Sequence, residues 1–204
     1  IEKMYDIFDN LGFVGGKLLE PAMGVGNFFG MLPKRFQKDT KLYGVELDTI
    51  SARIAARLYP EANVYRCGYE ETSFRDNSFD AAIGNIPFGD YSVHDKKYDR
   101  HGFLIHDYFF AKTIDQVKPG GVIAFITSKG TLDKKNSSVR KYIAERADLL
   151  GAIRLPNTAF KENAGAEVTS DILILQKRAE PQAVKEEVSG LHLGRDENNV
   201  SYNQ

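Results

Sequence analysis

The residues best suited to chemistry are Asn85, Ile86, Pro87 and Phe88, inside the run Gly84-Asn85-Ile86-Pro87-Phe88-Gly89. They follow a short apolar stretch, Phe79 to Ile83, that reads as a buried strand. An amide, a proline and an aromatic ring in one loop suit a planar amine such as the exocyclic amine of adenine. That nitrogen is a weak nucleophile because its lone pair is delocalised into the ring. Two acceptors on its hydrogens favour a pyramidal nitrogen: the Asn85 side-chain oxygen and a loop carbonyl such as that of Ile86. The Phe88 ring can stack on the flat partner. This is preorganised stabilisation of developing positive charge, and it needs no tuned general base before attack. On its own, Asn-x-Pro-Phe is only a turn after a strand.

A second group precedes it. Glu20-Pro21-Ala22-Met23-Gly24-Val25-Gly26-Asn27-Phe28 has strand, Gly-x-Gly and helix in order, a turn where backbone approaches a ligand closely. Glu46 lies 20 residues beyond Gly26, at the end of the next strand, where an acid suits ribose hydroxyls. The combination serves a dinucleotide or S-adenosylmethionine. The third glycine of a dinucleotide fingerprint falls at Phe29. The Glu20 carboxylate suits the cationic methionine end of S-adenosylmethionine and repels a pyrophosphate.

The elements that must position these groups follow from periodicity. Helices are expected over residues 1–11, stopped by Gly12, then from Asn27 (as cap) to about Phe36, Asp48 to Tyr59, Phe103 to Val117 and Ser137 to Arg146. Strands are expected at Lys17–Glu20, Leu42–Leu47, Asn63–Arg66, Asp80–Ile83, Val122–Thr127, Leu149–Leu155 and Ile172–Gln176. Lys118-Pro119-Gly120-Gly121 reads as a turn. Strands alternate with helices through about residue 148, and the last two strands have no helix between them. The fold class is α/β: a doubly wound, mainly parallel seven-stranded, Rossmann-like sheet with an antiparallel pair at one edge. In such sheets ligands bind outside the carboxyl ends of the strands.

Composition sets outer bounds. The chain has 204 residues, 42% of them hydrophobic, enough for one sizeable core. Its 27 basic and 28 acidic residues give a net charge of −1, which excludes a global attraction to nucleic acid. The single cysteine, Cys67, excludes an internal disulfide and fits a reducing, cytoplasmic setting. The apolar runs are too short to span a bilayer. The chain starts at Ile1 and ends in a polar stretch, and is expected to be a fragment: residues 1–178 a domain, 179–204 a linker or tail.

With these motifs in place, the chain resembles the amino-type, N6-adenine DNA methyltransferases with gamma-like motif order. It is most similar to the methylase domain of large methylase–helicase proteins of phages and conjugative elements. The marks are the Glu20–Phe28 motif, Val45-Glu46-Leu47-Asp48, the Asn85–Phe88 loop, the Lys118–Gly121 turn and Thr169-Ser170-Asp171-Ile172-Leu173. The resemblance implies S-adenosyl-L-methionine as methyl donor and a base flipped from DNA. It implies target-recognition and helicase domains elsewhere in a longer chain, and no membrane. It places Glu20, Pro21, Ala22, Gly24, Gly26, Asn27, Phe28, Glu46, Leu47, Gly68, Tyr69 and Glu70 at the cofactor, and Asn85, Ile86, Pro87 and Phe88 at the target base.

Three positions depart from the family pattern. Ile86 stands where the first of two prolines is usual. The acid after the third strand, which contacts the cofactor's adenine, has only Glu70 as a substitute in Cys67-Gly68-Tyr69-Glu70-Glu71. The family's N-terminal cofactor segment, usual just upstream of a helix like residues 1–11, is expected to be missing from this fragment. Two rivals stay open: methylation of a protein glutamine amide, and a binding domain without catalysis.

Two basic sets are candidate nucleic-acid contacts: Tyr91, Lys96, Lys97, Tyr98 and Arg100 after the fourth strand, and Lys129, Lys134, Lys135, Arg140 and Lys141 after the fifth. His94, His101, His106 and Asp107 match no metal-ligand spacing, so no metal is expected. Phe160 is a candidate wall of the base pocket.

Overall fold

The computed structural model describes residues 1–157, 169–184, 193–195 and 201–203. Phe160 lies outside them.

Seven strands form one sheet: β1 (Gly16–Glu20), β2 (Thr40–Val45), β3 (Asn63–Tyr65), β4 (Phe79–Asn85), β5 (Val117–Ser128), β6 (Ala147–Arg154) and β7 (Ser170–Lys177). Their order is β3-β2-β1-β4-β5-β7-β6. Every pairing from β3 across to β5 is parallel, and β7 runs antiparallel to both β5 and β6. The direction of strand placement reverses between β1 and β4, which opens a crevice at their carboxyl ends.

Alternation along the strands feeds two cores. Leu18, Ala81, Ile83, Ala124 and Ile126 pack under α1 (Glu2–Asn10) and the first glycine turn, with Met4, Tyr5, Phe8, Phe28 and Phe36. Leu19, Ala82, Ile123, Phe125, Leu173 and Leu175 face α5 (Ile105–Gln116) and α7 (Ser138–Arg146) on the other side. Both faces of the sheet are thus covered, as a parallel sheet requires. Gly12, at φ +82°, turns the chain off α1, as expected.

Four local features differ from the expectation. The helix after the glycine turn is two short pieces, α2 (Asn27–Gly30) and α3 (Lys34–Gln37). Pro33 causes the break: it caps α3 with an extended ψ of 142° and cannot continue the preceding turn. Asn27 is not the cap of α2; Gly26 is, in a left-handed conformation. Lys118–Gly121 is not a separate turn but a bulge inside β5, since Phe79 pairs with Val117 and Ala81 already with Val122. Within the expected polar tail, Leu193–Arg195 and Ser201–Asn203 form a two-stranded antiparallel ladder.

α4 (Thr49–Leu58) matches its expected span, capped by Asp48, whose Oδ2 accepts from the Ser51 N–H at 2.7 Å. Its buried face is Ala52 and Ala55, while Ile50 and Leu58 are exposed. No helix among the described residues is long and apolar enough to cross a membrane.

Candidate active site

The turn after β1 is held by its own backbone and by one acid. Met23 N–H bonds the Val45 carbonyl at 2.9 Å, and Gly26 N–H bonds Met23 O at 2.8 Å. Gly24 and Gly26 sit at φ +54° and +86°, which glycine adopts without penalty. The Gly24 N–H donates to Glu46 Oε2 at 2.7 Å, and the Asp48 N–H to Glu46 Oε1 at 2.7 Å. Each Glu46 oxygen is thereby aimed, with a further lone pair available to a ligand hydroxyl.

Glu20 ends β1 and is 1% exposed. Its Oε2 is buried and has no hydrogen-bond partner among the described residues. Burial, and secondarily the Glu46 carboxylate, push its pKa well above the usual carboxylate range. A buried acid without a partner is costly in a folded chain. It suits a site that receives a cation.

Asn85 is the last residue of β4 and pairs with Ile126 of β5, which fixes its backbone while its side chain is exposed. The next residue explains the departure from the family loop. Ile86 donates its N–H to Ile126 O at 3.1 Å, and its side chain is 1% exposed in the α5-side core. A proline there could not make that hydrogen bond. Pro87 is half-buried, and the Phe88 ring remains 39% exposed, open to a stacking partner.

Both groups line one cleft of about 1320 Å³. Glu20, Pro21, Ala22, Gly24, Asn27 and Phe28 form its floor beside β1, with Glu46 and Leu47 at one side. Gly68, Tyr69 and Glu70 wall it beyond β3, and Asn85, Ile86, Pro87 and Phe88 line it after β4. Gly26 is the exception. A Cβ on it would meet the Tyr59 ring at 2.5 Å, so its role is to admit Tyr59. Glu70 folds its carboxylate over Gly68, where a Cβ would displace it.

The model of a family described as N-6 DNA Methylase matches residues 14–191. The chain belongs to that family. A relative, the Defense against restriction protein B of Escherichia phage P1, is 30% identical over 190 residues, covering 90% of this chain and 8% of the phage protein. The modification methylase CviBIII of Paramecium bursaria Chlorella virus NC1A is 26% identical over 116 residues, covering 55% of this chain and 30% of that enzyme. The chain therefore spans less than a third of either relative's length. The crystal structure of the M protein of the type I restriction enzyme EcoKI aligns over 82% of this chain and 42% of its own, with a TM-score of 0.62 at 17% identity. That likeness is one of fold, the class I methyltransferase sheet.

In this N-6 DNA Methylase domain the first basic set does not gather at the cleft. Residues 91–101 run down the outer face of α5, and Tyr91 is the member of that set that lines the cleft. Lys97 bonds both Asp76 oxygens at 3.0 and 2.9 Å and Asp115 at 2.8 Å. Tyr98 is buried and donates to Asp115 at 2.8 Å. Asp76 precedes β4 and Asp115 lies in the last turn of α5, so both lie at the amino edge of the sheet, away from Asn85. In the second set, Lys134 pairs with buried Asp107, and Arg140 is buried against the Lys134 carbonyl. Lys129, Lys135 and Lys141 stay exposed at the carboxyl side.

Cleft residues not foreseen from sequence include Met4, Tyr59, Val93, Ile105 and Phe109. All are apolar or aromatic groups that double as core, so no local signal marks them. The histidines are dispersed: His94 bonds Asp99, His101 stacks on Phe103, and His106 is buried beside Asp107.

Proposed function

We propose that this domain transfers a methyl group from S-adenosyl-L-methionine to the N6 amine of adenine in DNA. The observation that carries the reading is the shared cleft, lined both by Glu20, Gly24 and Glu46 and by Asn85–Phe88.

The residues fit that donor. Glu20 is a buried acid lacking a partner, suited to the ammonium of the methionine end. Glu46, aligned by two backbone N–H groups, accepts from ribose hydroxyls. Leu47, 72% exposed, and Glu70 border the adenine end. When bound, the donor supplies an electrophilic methyl on a sulfonium.

The acceptor end acts by geometry. Asn85 Oδ1 and the Ile86 carbonyl accept the two amine hydrogens, and Phe88 stacks on the base. With both hydrogens held, the nitrogen lone pair would be free to take the methyl group such a donor would supply, the donor leaving as a neutral thioether. The nitrogen becomes cationic, Asn85 and Ile86 stabilise it, and one proton leaves to water. The base reaches this site only when turned out of the helix.

The test is nucleoside mass spectrometry after incubating the full-length protein with labelled S-adenosylmethionine and DNA. N6-methyladenine carrying the label is expected. Label on cytosine, or on protein glutamine alone, would contradict the proposal.

A further inference from the structure

α5 carries a lysine that the reaction chemistry does not use. Lys112 is 4% exposed in the middle of the helix. Its ammonium donates to the Tyr69 carbonyl at 2.7 Å and reaches the Glu70 and Thr72 carbonyls, each at 3.4 Å. Those carbonyls belong to the turn after β3, whose residues Gly68, Tyr69 and Glu70 wall the cleft. The fourth partner is Asp95 Oδ2 at 3.1 Å. Asp95 lies in the chain that leaves the Asn85–Phe88 motif, and it also accepts from Tyr108 OH at 2.8 Å. Neither Lys112 nor Asp95 lines the cleft.

The Tyr69 side chain adds to the anchoring. Its ring is buried against Phe109, and its hydroxyl donates to Gln116 at 2.6 Å. The Lys112 ammonium lies 5.0 Å from the Tyr69 ring centroid and 5.6 Å from that of Tyr108. An ammonium is expensive to bury unless its three donors are used. Here they are spent on backbone of one wall and on one acid from the neighbouring loop. Burial lowers the Lys112 pKa, and the bond to Asp95 opposes that shift.

We propose that Lys112 is a positioning residue that holds the Gly68–Glu70 wall in its cofactor-accepting shape. Asp95 is its counter-ion, and ties that wall to the loop following the target-base motif. The inference rests on the cofactor assignment above. A longer side chain in place of Gly68 or a shifted Glu70 would narrow the cleft, whereas Lys112 sets the turn from behind, where no ligand touches it.

The experiment is calorimetric titration of the full-length protein with S-adenosylmethionine, in wild type and three variants. Lys112→Met keeps the stem and removes the charge, and is expected to weaken binding about tenfold. Asp95→Asn is expected to weaken it by a smaller factor, and carries the test if Lys112→Met does not fold. Tyr98→Phe removes a bond from the same loop to Asp115 that involves neither Lys112 nor Asp95, and is expected to leave affinity unchanged. Unchanged affinity in Lys112→Met, or in Asp95→Asn where that variant carries the test, overturns the proposal. So does an equal loss in Tyr98→Phe, which would mark a general effect of stability. Failure of the wild type to bind would instead overturn the cofactor assignment.

Discussion

The Ile86 N–H donates to the Ile126 carbonyl at 3.1 Å, carrying the β4–β5 ladder one residue past the strand. The loop that presents Asn85 is therefore stiffened by a sheet hydrogen bond that a proline at position 86 would lack. Ile86→Pro, a change toward the family pattern, is expected to destabilise. It removes that bond and a buried side chain, a loss of about 2–4 kcal/mol. Chemical denaturation of the two proteins checks this; equal midpoints would show that the bond contributes nothing.

Glu20 is a buried acid whose Oε2 has no hydrogen-bond partner among the described residues, an arrangement that opposes folding. Its folded-state pKa is raised above the ordinary 4.5. The stability linked to its protonation is complete below the ordinary value and is lost as pH rises through the raised one. Without cofactor, Glu20→Gln should thus be more stable than wild type by about 1–3 kcal/mol above that range, and equal near pH 4. The same variant should bind S-adenosylmethionine about tenfold more weakly. Thermal melts across pH with and without cofactor test both signs; a variant that loses stability at pH 8 contradicts the assignment.

Glu46 organises the glycine turn and lines the cleft. Glu46→Ala frees the Gly24 and Asp48 N–H groups that now donate at 2.7 Å. Cofactor affinity is expected to fall about tenfold to a hundredfold. Calorimetry giving one affinity for both proteins would remove Glu46 from the ribose site.

Much of this architecture is legible in the residues themselves. Gly24 and Gly26 mark a backbone that needs positive φ, and the acid spacing to Glu46 follows from strand and helix lengths. The path of residues 91–101 is not legible. Its polar side chains look solvated, yet Lys97 and Tyr98 find partners in Asp76 and Asp115, brought near only by the packed fold. The bulge at Lys118–Gly121 is hidden for a similar reason, because it exists only relative to Phe79 and Ala81 across the sheet. Tyr59 over Gly26 is a long-range packing fact, silent in either local stretch.

The two basic sets should separate in DNA binding. Lys97→Ala breaks the pairs with Asp76 and Asp115, and is expected to lower the melting temperature while leaving DNA affinity within about twofold. Lys135→Ala, on the exposed carboxyl side, is expected to weaken DNA binding and reduce the salt slope by about one. Salt titrations by fluorescence anisotropy give both quantities; a larger DNA effect at Lys97 would reverse the placement of the interface.

The most direct measurement is the single-turnover rate of N6-methyladenine formation by full-length wild type and Asn85→Ala, with cofactor and DNA saturating. Loss of one preorganised acceptor on the amine should slow the step by about a hundredfold or more, with cofactor affinity unchanged. An unaltered rate in Asn85→Ala would contradict the assignment of this loop to the target amine.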